Sequence, residues 1–271
     1  MFIFKAPQID PVAFYVFNWP VRWYGISYIA AFIIAWVCLN KASKYYLNKN
    51  PVLNFSISKK QVDDLLTFGI LGVIIGARLG HMVFYDFDAM ISNPLSIFKT
   101  WEGGMAFHGG LLGCILACTF YIKKEKLPFA LLADLISLSV PLGIFCVRIA
   151  NFINQELYGR ITLSYLGVIF NNEAVARHPS QLYEAFLEGF LLFVILFYTF
   201  LKKLKPQNQG ILYANFFIFY GIFRFLSEYV REPSDGVFNV HFLTLTYGQV
   251  LTFPMIIIGV ILLWAIFKRA K

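Results

Sequence analysis

Seven long apolar stretches constrain this chain more than any other feature of its sequence. A helix that crosses the hydrocarbon core of a bilayer needs about 20 mostly apolar residues. The approximate limits of the stretches that meet this need are 21–40, 64–85, 104–122, 129–150, 181–201, 210–229 and 247–267. None of them alternates between polar and apolar residues, as the strands of a membrane β-barrel would. The sequence therefore predicts an all-α polytopic membrane protein with seven transmembrane helices.

The composition supports a membrane protein and argues against a nucleic-acid-binding protein. Only 14% of the 271 residues are charged, whereas soluble domains carry about 25%. The formal net charge is +8, but the basic residues lie in short segments between apolar stretches rather than on one polar face. We therefore expect no nucleic-acid partner. The first twenty residues lack the order of a cleavable signal peptide, so the first span is predicted to be an uncleaved signal anchor.

The distribution of lysine and arginine predicts how the chain is oriented in the membrane. Basic residues collect in the cytoplasmic loops of membrane proteins, and here every second connecting segment is rich in them. Those segments are 41–61, 123–128, 202–209 and the C-terminal tail with Lys268, Arg269 and Lys271. The N-terminus is therefore predicted to lie outside and the C-terminus in the cytoplasm. Residues 1–271 are expected to form a single membrane domain, with a small extracytoplasmic head at about 152–180.

Three arginines lie inside or near the predicted spans: Arg78, Arg148 and Arg224. An arginine at the centre of a span costs about 2.5–3.5 kcal/mol on insertion scales. The predicted orientation places all three in the outer half of the bilayer, close to the depth of the lipid headgroups. The planar guanidinium group binds phosphate well, so we predict a pocket for a phosphate-bearing headgroup. The alternative is a structural role, in which each arginine lies near the headgroups or pairs with a buried carboxylate, for which the candidates are Asp134, Glu184, Glu188 and Glu228.

The stretch FHGGLLG at 107–113 adds a group that can accept a proton. His108 is predicted to lie near the outward start of the third span, where Gly109 and Gly110 leave room beside it. An imidazole group can take up a proton near neutral pH and act as a general base. The alternative is a hydrogen-bonded histidine of the protein core. The other histidines show no ligand spacing with His108, so no metal site is predicted.

A polar face continues from the fourth span into the loop that follows it. Arg148, Asn151 and either Asn154 or Gln155 are spaced so that they share one face of a helix, and Glu156 follows as the chain leaves the bilayer. An asparagine amide could orient an ester or a hydroxyl group without adding charge. The alternative for the two asparagines is that they cap the end of the helix.

Six stretches together resemble the bacterial prolipoprotein diacylglyceryl transferase family. They are WYGISY (23–28), GARLG (76–80), WEGGMAFHGGLLG (101–113), RIANFINQELYGR (148–160), RHPSQLYEAFLEG (177–189) and YGIFRFLSEYVREP (220–233). They occur in the order found in the family and extend over all seven predicted spans. This combination is far more specific than any one of the motifs.

The resemblance implies a multi-pass enzyme of the bacterial inner membrane with its active site on the periplasmic side. The family transfers the diacylglyceryl group of phosphatidylglycerol to the thiol of the lipobox cysteine in a prolipoprotein signal peptide. A thioether forms and glycerol-1-phosphate leaves, which is the first step of lipoprotein maturation. The reaction needs no metal or organic cofactor. Because the reactive cysteine belongs to the substrate, the four cysteines of this chain are expected to be core residues.

Roles for individual residues follow from the resemblance together with the chemistry of each side chain. The predicted catalytic residues are His108, which would accept the thiol proton directly or through water, and Arg148 and Arg224, which would stabilise the departing phosphate. The predicted phosphatidylglycerol-binding residues are Arg148, Arg224, Tyr24, Asn151, Asn154, Glu156 and Glu228. Glu228 lies one helical turn after Arg224 and could hold that side chain in place.

Two other classes of membrane protein remain as alternatives. A transporter or lipid-binding channel could use the arginines to mark a path for an anion, although the sequence shows no clear internal repeat of the kind common in transporters. A different phospholipid-handling enzyme, such as an acyl or headgroup transferase, could use the same arginines with an acceptor other than a thiol.

Overall fold

The computed structural model describes residues 4–51, 53, 56–99, 103–171, 173–233, 237–240 and 243–270. Trp101 and Glu102 of the 101–113 motif and Lys271 of the basic tail lie outside the described residues. The chain divides into two compact units, one formed by residues 1–42 and 133–271 and the other by residues 43–132. The single membrane domain expected from the sequence stays a prediction.

Helices occupy all seven predicted stretches. They are α1 (Trp23–Lys49), α2 (Lys59–Phe84), the short α3 (Phe87–Ser92), α4 (Phe107–Lys124), α5 (Phe129–Ile153), α6 (Ser180–Glu184), a π-helical turn (Ala185–Leu191), α7 (Leu192–Lys202), α8 (Ile211–Ser227) and α9 (Tyr247–Arg269). The segment from α6 to α7 forms one helix, Ser180–Lys202. Five of the described helices are long and apolar enough to cross a membrane: α1, α2, α5, the α6–α7 helix and α9. Helix α8 is apolar but has 17 residues. The described chain is thus a mostly helical, polytopic membrane protein, and the full set of seven spans stays a prediction.

The connection between α1 and α2 is shorter than the sequence indicates. The sequence assigns residues 41–61 to a basic loop, but α1 continues to Lys49 and α2 begins at Lys59. This part of the prediction is wrong because hydropathy marks only the apolar part of a helix, and a helix can keep its backbone hydrogen bonds beyond it. Ser58 begins α2 with a capping box, in which its hydroxyl accepts the Gln61 amide hydrogen and the Gln61 side chain accepts the Ser58 amide hydrogen.

In the unit formed by residues 43–132, helices α2 and α4 pack with almost no space between their backbones. Gly72 and Gly76 of α2 face Gly109 and Gly113 of α4. A Cβ atom at Gly76 would overlap the carbonyl oxygen of Gly109, and one at Gly72 would lie 2.8 Å from Cβ of Ala117. Small residues at a spacing of four allow such close approach between membrane helices. The contact holds the start of α4, where His108 lies, against α2.

In the other unit, a buried aspartate of α5 fixes the start of α8. The carboxylate of Asp134 accepts backbone N–H groups from Gly210 at 2.6 Å, Leu212 at 2.8 Å and Tyr213 at 3.1 Å. The first N–H groups of a helix have no partner within the helix and carry its positive dipole end. Gly210 has a φ of 105°, which glycine adopts without strain. Asp134 thus caps α8 from a neighbouring helix.

Short strand pairs accompany the helices. Strand β1 (Phe4–Lys5) pairs in parallel with β4 (Val168–Ile169), β2 (Val12–Val16) pairs antiparallel with β3 (Trp19–Arg22), and β5 (Val237–Val240) pairs antiparallel with β6 (Leu243–Thr246). Strand β4 lies in the predicted head, and β1 adds to it from the N-terminal part of the chain, where Ala6 is buried with Val168 and Phe170. Phe152 and Tyr158 pack against this small core.

An ion pair and a hydrogen bond brace the same head segment. The guanidinium of Arg177 lies 2.8 Å from Oε2 of Glu173, and the hydroxyl of Tyr158 donates a 2.6 Å hydrogen bond to Oε1 of Glu173. These contacts, with the Tyr158 bond first, lower the pKa of the Glu173 carboxyl. The predicted head at 152–180 is therefore a folded segment rather than a flexible loop.

Candidate active site

Six charged side chains form a network that we call the ion-pair cluster. They are Arg148 on α5, Glu184 on α6, Glu188 in the π-helical turn, Arg224 on α8, Glu228 at the end of α8 and Arg231 just beyond it. All belong to the unit that contains residues 133–271. Charges inside a membrane segment are costly and usually pair with one another. The cluster therefore explains how three arginines can be held among apolar helices.

Glu184 joins the three arginines of the cluster. Its Oε1 accepts a 2.8 Å hydrogen bond from Nη1 of Arg231 and lies 3.3 Å from Nη1 of Arg224. Its Oε2 lies 2.7 Å from Nε of Arg148, a separation that gives an ion pair without the alignment of a hydrogen bond. The Glu184 side chain is fully buried, whereas Arg148 and Arg224 keep 18% and 15% of their side chains exposed. The arginines thus retain an accessible side while a buried carboxylate holds the other.

Glu228 binds Arg224 and links it to the start of α9. One carboxylate oxygen accepts a hydrogen bond from Arg224, and the other accepts the Thr246 hydroxyl at 2.7 Å. Thr246 also accepts the Gln249 amide hydrogen and so begins α9 with a capping box. A Cβ atom at Gly248 would overlap the Glu228 carboxylate. Glu228 thus contacts Arg224, and its role in the binding of phosphatidylglycerol stays a prediction.

Glu188, which lies in the π-helical turn, is the carboxylate of the cluster with the weakest contacts to other polar groups among the described residues. Glu188 is fully buried, and its nearest cationic atoms are Nη1 of Arg224 at 3.7 Å and Nη2 of Arg148 at 3.9 Å. Neither of its carboxylate oxygens has a hydrogen-bond partner among the described residues. Single π-helical turns inside longer helices are frequent at functional sites.

The polar face that follows α5 connects directly to the cluster. Nη1 of Arg148 makes a long 3.4 Å hydrogen bond to Oδ1 of Asn151, and Nδ2 of Asn151 donates to Oε1 of Glu156 at 2.7 Å. Gln155 and Leu157 on either side of Glu156 have left-handed φ values of 53° and 56°. A residue in this left-handed conformation carries strain of about 1–3 kcal/mol, and the conformation persists where contacts with the surrounding structure hold it in place.

The contacts that hold the backbone of residues 155–157 come from the first turn of α6. Nε2 of Gln181 donates a 2.7 Å hydrogen bond to the backbone oxygen of Glu156, and the Ser180 hydroxyl donates at 3.0 Å to the backbone oxygen of Leu157. Gln181 and Ser180 are both buried. The strained loop is therefore tied to the helix that carries Glu184 and Glu188, and the Glu156 carboxylate is directed toward Asn151.

Tyr24 and Asn154, two further residues of the predicted lipid-binding set, differ in their contacts with the ion-pair cluster. Tyr24, the second residue of α1, packs edge-to-face against Tyr28 with ring centroids 5.2 Å apart, and Tyr28 interacts electrostatically with Arg148 and Glu156. Asn154 has a buried Oδ1 atom without a hydrogen-bond partner among the described residues. Tyr24 thus reaches the network through Tyr28, whereas Oδ1 of Asn154 makes no hydrogen bond to it among the described residues.

The unit formed by residues 43–132 holds His108 and Arg78. His108 is the second residue of α4, is exposed, and packs edge-to-face with Phe107 at 5.5 Å. Arg78 is buried and donates hydrogen bonds to the backbone oxygens of Ser96, Ile97, Gly103 and Gly104. The expectation that Arg78 shares in phosphate binding is therefore replaced by a structural role, because backbone carbonyls occupy its guanidinium.

The sequence indicated Glu184 and Glu188 only as possible structural partners of the arginines, a pairing that the structure shows, and it assigned no site role to Arg231 or Thr246. Glu184 and Glu188 had a signal, since they are two carboxylates four residues apart in an otherwise apolar span. Arg231 lies just beyond the predicted span 210–229, and Thr246 carries no chemical signal by itself. Among the described residues, no group of three or more His, Cys, Asp or Glu is placed to hold a metal ion.

Comparison with known proteins identifies the family of this chain. The family model described as prolipoprotein diacylglyceryl transferase matches residues 11–265. Proteins named phosphatidylglycerol--prolipoprotein diacylglyceryl transferase are similar over nearly the whole chain. That of Rickettsia bellii (strain OSU 85-389) is 43% identical over 258 residues, covering 95% of each chain. Those of Rickettsia conorii (strain ATCC VR-613 / Malish 7) and Rickettsia canadensis (strain McKiel) are 43% and 42% identical, each covering 93% of this chain and 95% of its own. This chain therefore belongs to the prolipoprotein diacylglyceryl transferase family.

Proposed function

We propose that this protein transfers the diacylglyceryl group of phosphatidylglycerol to the thiol of a prolipoprotein cysteine. The sulfur forms a bond to the glyceryl carbon, the carbon–oxygen bond to phosphate breaks, and glycerol-1-phosphate leaves. The acceptor is the lipobox cysteine of a signal peptide, and the reaction is the first step of lipoprotein maturation. The relatives named above carry this activity in their names, and the resemblance of the sequence motifs implies it.

The structural observation that carries the proposal is the joining of Arg148 and Arg224 through one buried carboxylate. Negative charge grows on the phosphate oxygen as the carbon–oxygen bond breaks. Two guanidinium groups held from behind by Glu184 would bind that phosphate through the parts of their side chains that stay accessible. Fixed donors of this kind need no reorganisation as charge develops, which is usually the largest electrostatic contribution to catalysis.

The other roles concern the proton and the orientation of the substrates. His108 accepts the thiol proton directly or through water, because the thiolate is the attacking species and a free thiol has a pKa near 8.5. This role rests on the resemblance and on imidazole chemistry. Asn151 and Glu156 orient the headgroup and the peptide, Tyr24 and Asn154 complete the predicted lipid-binding set, and Glu228 positions Arg224. The reaction uses no metal or organic cofactor.

The proposed topology has seven spans, the N-terminus outside and the C-terminus in the cytoplasm. Support comes from helices at all seven apolar stretches and from basic residues concentrated at alternate connections. In this arrangement α4 and α8 cross the membrane as well, and the head at 152–180 lies on the periplasmic side of the inner membrane, where the active site also lies.

A transfer assay with defined substrates tests the function. Purified full-length protein is mixed with phosphatidylglycerol and a peptide that contains a lipobox cysteine, and the peptide mass is measured. We expect the mass of one diacylglyceryl group to be added to the cysteine peptide and none to a matched serine peptide. An unmodified cysteine peptide, together with lipid movement between membrane leaflets, would instead support the transporter alternative. Modification of a non-thiol acceptor would support a different phospholipid transferase.

A further inference from the structure

The ion-pair cluster contains as many carboxylates as guanidinium groups. Arg148, Arg224 and Arg231 face Glu184, Glu188 and Glu228, so the ionised cluster has no net charge before a substrate binds. A phosphodiester brings one further negative charge. Binding that charge to Arg148 and Arg224 weakens the compensation that these arginines give to the buried carboxylates, and an uncompensated buried charge is unfavourable.

Glu188 is the carboxylate whose negative charge is held most weakly. Glu184 accepts a hydrogen bond from Arg231, and Glu228 accepts hydrogen bonds from Arg224 and Thr246. Glu188 has only two ion pairs, at 3.7 and 3.9 Å, and neither oxygen accepts a hydrogen bond from a described residue. Of the three carboxylates of the cluster, Glu188 is therefore the one for which protonation is most favourable, because it is fully buried and its charge is weakly compensated.

The charged and titratable groups that face Glu188 come from its own helix, from α5, from α8 and from the segment after α8. Glu184 lies one turn earlier on the same helix, Arg148 faces it from α5, Arg224 and Tyr220 interact with it from α8, and Arg231 does so from the segment after α8. The two guanidinium groups nearest to Glu188 are those that would bind the phosphate. The charge of Glu188 and the charge of the ligand therefore compete for the same two arginines.

We propose that Glu188 takes up a proton when an anionic phospholipid headgroup binds to Arg148 and Arg224. The proton comes from solvent and converts the Glu188 carboxylate to a carboxylic acid, so the charge of the occupied cluster returns to zero. The inference rests on the proposed function, because it assumes that these arginines bind the lipid phosphate. Binding linked to one proton weakens by up to tenfold for each unit by which the pH rises.

Calorimetry on the full-length protein tests this inference. Short-chain phosphatidylglycerol is titrated into protein held in zwitterionic lipid nanodiscs between pH 6 and 9, in two buffers of different ionisation enthalpy. In the middle of the pH range over which its affinity changes, the wild type should take up close to one proton per bound lipid. Its affinity for the lipid should fall as pH rises. Glu188→Gln should lose both the uptake and the pH slope, and should bind at high pH at least as tightly as the wild type does at low pH.

Glu173→Gln is the matched control, because it removes a glutamate of the head that lies outside the cluster. It should keep the pH slope and the proton uptake. No uptake in the wild type, or an uptake that Glu188→Gln leaves unchanged, would overturn the inference. If Glu188→Gln does not fold, infrared difference spectra of wild type labelled with ¹³C-glutamate decide the matter, since lipid binding must then produce a protonated glutamate band and its absence would refute the proposal.

The transfer assay separates this inference from the proposed function. Diacylglyceryl transfer without proton uptake would leave the function in place and remove only the role of Glu188. Failure of the wild type both to bind phosphatidylglycerol and to modify the cysteine peptide would contradict the proposed function itself.

Discussion

Arg148 and Glu184 are joined by an ion pair of 2.7 Å between Nε and Oε2, and the glutamate side chain is fully buried. The same carboxylate accepts a hydrogen bond from Arg231 and lies 3.3 Å from Arg224. One side chain thus fixes arginines that come from different helices. Under the proposed function, Glu184 would be a positioning residue that acts on transfer through Arg148 and Arg224.

Glu184→Gln is expected to lower both stability and transfer. Removing one member of a buried ion pair leaves the other uncompensated and costs about 3–5 kcal/mol. The midpoint of thermal unfolding and the rate of peptide modification measure the two effects. Glu184→Asp keeps the charge and should recover part of the rate. Glu173→Gln breaks a partly exposed pair, which is worth at most about 1 kcal/mol, so an equal loss of stability in the two glutamine variants would contradict the role of Glu184.

Arg148→Ala and Arg224→Ala are each expected to reduce transfer by at least about 100-fold, the size of effect seen when a fixed donor to a developing anion is removed. Lysine at either position should recover only part of the activity, because an ammonium group cannot form the paired hydrogen bonds of guanidinium. The assay follows peptide mass, and membrane fractionation confirms insertion. Arg269→Ala, at the end of α9, is the matched control. Near-normal transfer by inserted Arg148→Ala protein would rule out the phosphate-binding role.

The sequence predicted the helices and located the charged side chains within them because the relevant signals are local. An apolar stretch and the charges within it can be identified directly, which located α5 with Arg148 and α8 with Arg224. The sequence named Glu184 as one possible partner of these arginines, but it left open which carboxylate meets which arginine, because that depends on how each helix is rotated about its axis. The π-helical turn that carries Glu188 changes that rotation partway along a helix, and the amino-acid pattern gives no clear sign of it.

Arg78 shows a second reason why the sequence alone does not predict the role of a charged side chain. Its charge and its place in an apolar span resemble those of Arg148 and Arg224, so the sequence groups the three together. Among the residues that the structure describes, the hydrogen-bond partners of the Arg78 side chain are backbone carbonyls, including those of Ser96 and Gly103. Every residue has a backbone carbonyl, so a side chain that binds carbonyls leaves no signal elsewhere in the sequence.

His108→Gln is expected to slow transfer most at low pH. The thiol must lose its proton before attack, and a free thiol ionises without help only near its pKa of about 8.5. A general base typically contributes about 10²–10⁴-fold, so the deficit of the variant should shrink as pH rises toward 9. The rate of peptide modification is measured across this range. His178→Gln provides a control on a second histidine. A pH–rate profile parallel to that of the wild type would show that His108 is not the base.

Asp134→Ala is expected to destabilise the protein and leave the chemistry of transfer intact. The variant leaves three backbone N–H groups at the start of α8 without their acceptor. Hydrogen bonds to a charged group contribute about 1.5–3 kcal/mol each, so the midpoint of thermal unfolding should fall by several degrees. Ser58→Ala, which removes one cap bond at the start of α2, should cost about 1 kcal/mol. A smaller effect at Asp134 than at Ser58 would contradict the capping role.

Gly76→Ala is expected to separate α2 from α4. The added Cβ atom would overlap the backbone oxygen of Gly109, which cannot move without shifting its helix. Overpacking of this kind costs about 1–3 kcal/mol. The same substitution at Gly25 meets no atom within 4 Å and should be neutral or stabilising, since alanine favours a helix more than glycine does.

Cysteine labelling detects the separation directly. Cys114 and Cys118 of α4 lie against α2 at Gly69, where an added Cβ atom would be 3.7 and 3.4 Å from their sulfurs. A membrane-permeant maleimide should therefore react faster with these thiols in Gly76→Ala than in wild type or Gly25→Ala. Equal labelling in all three proteins, with equal unfolding midpoints, would mean that α2 and α4 do not depend on the glycine contact. In that case the position of His108 at the start of α4 would need a different support.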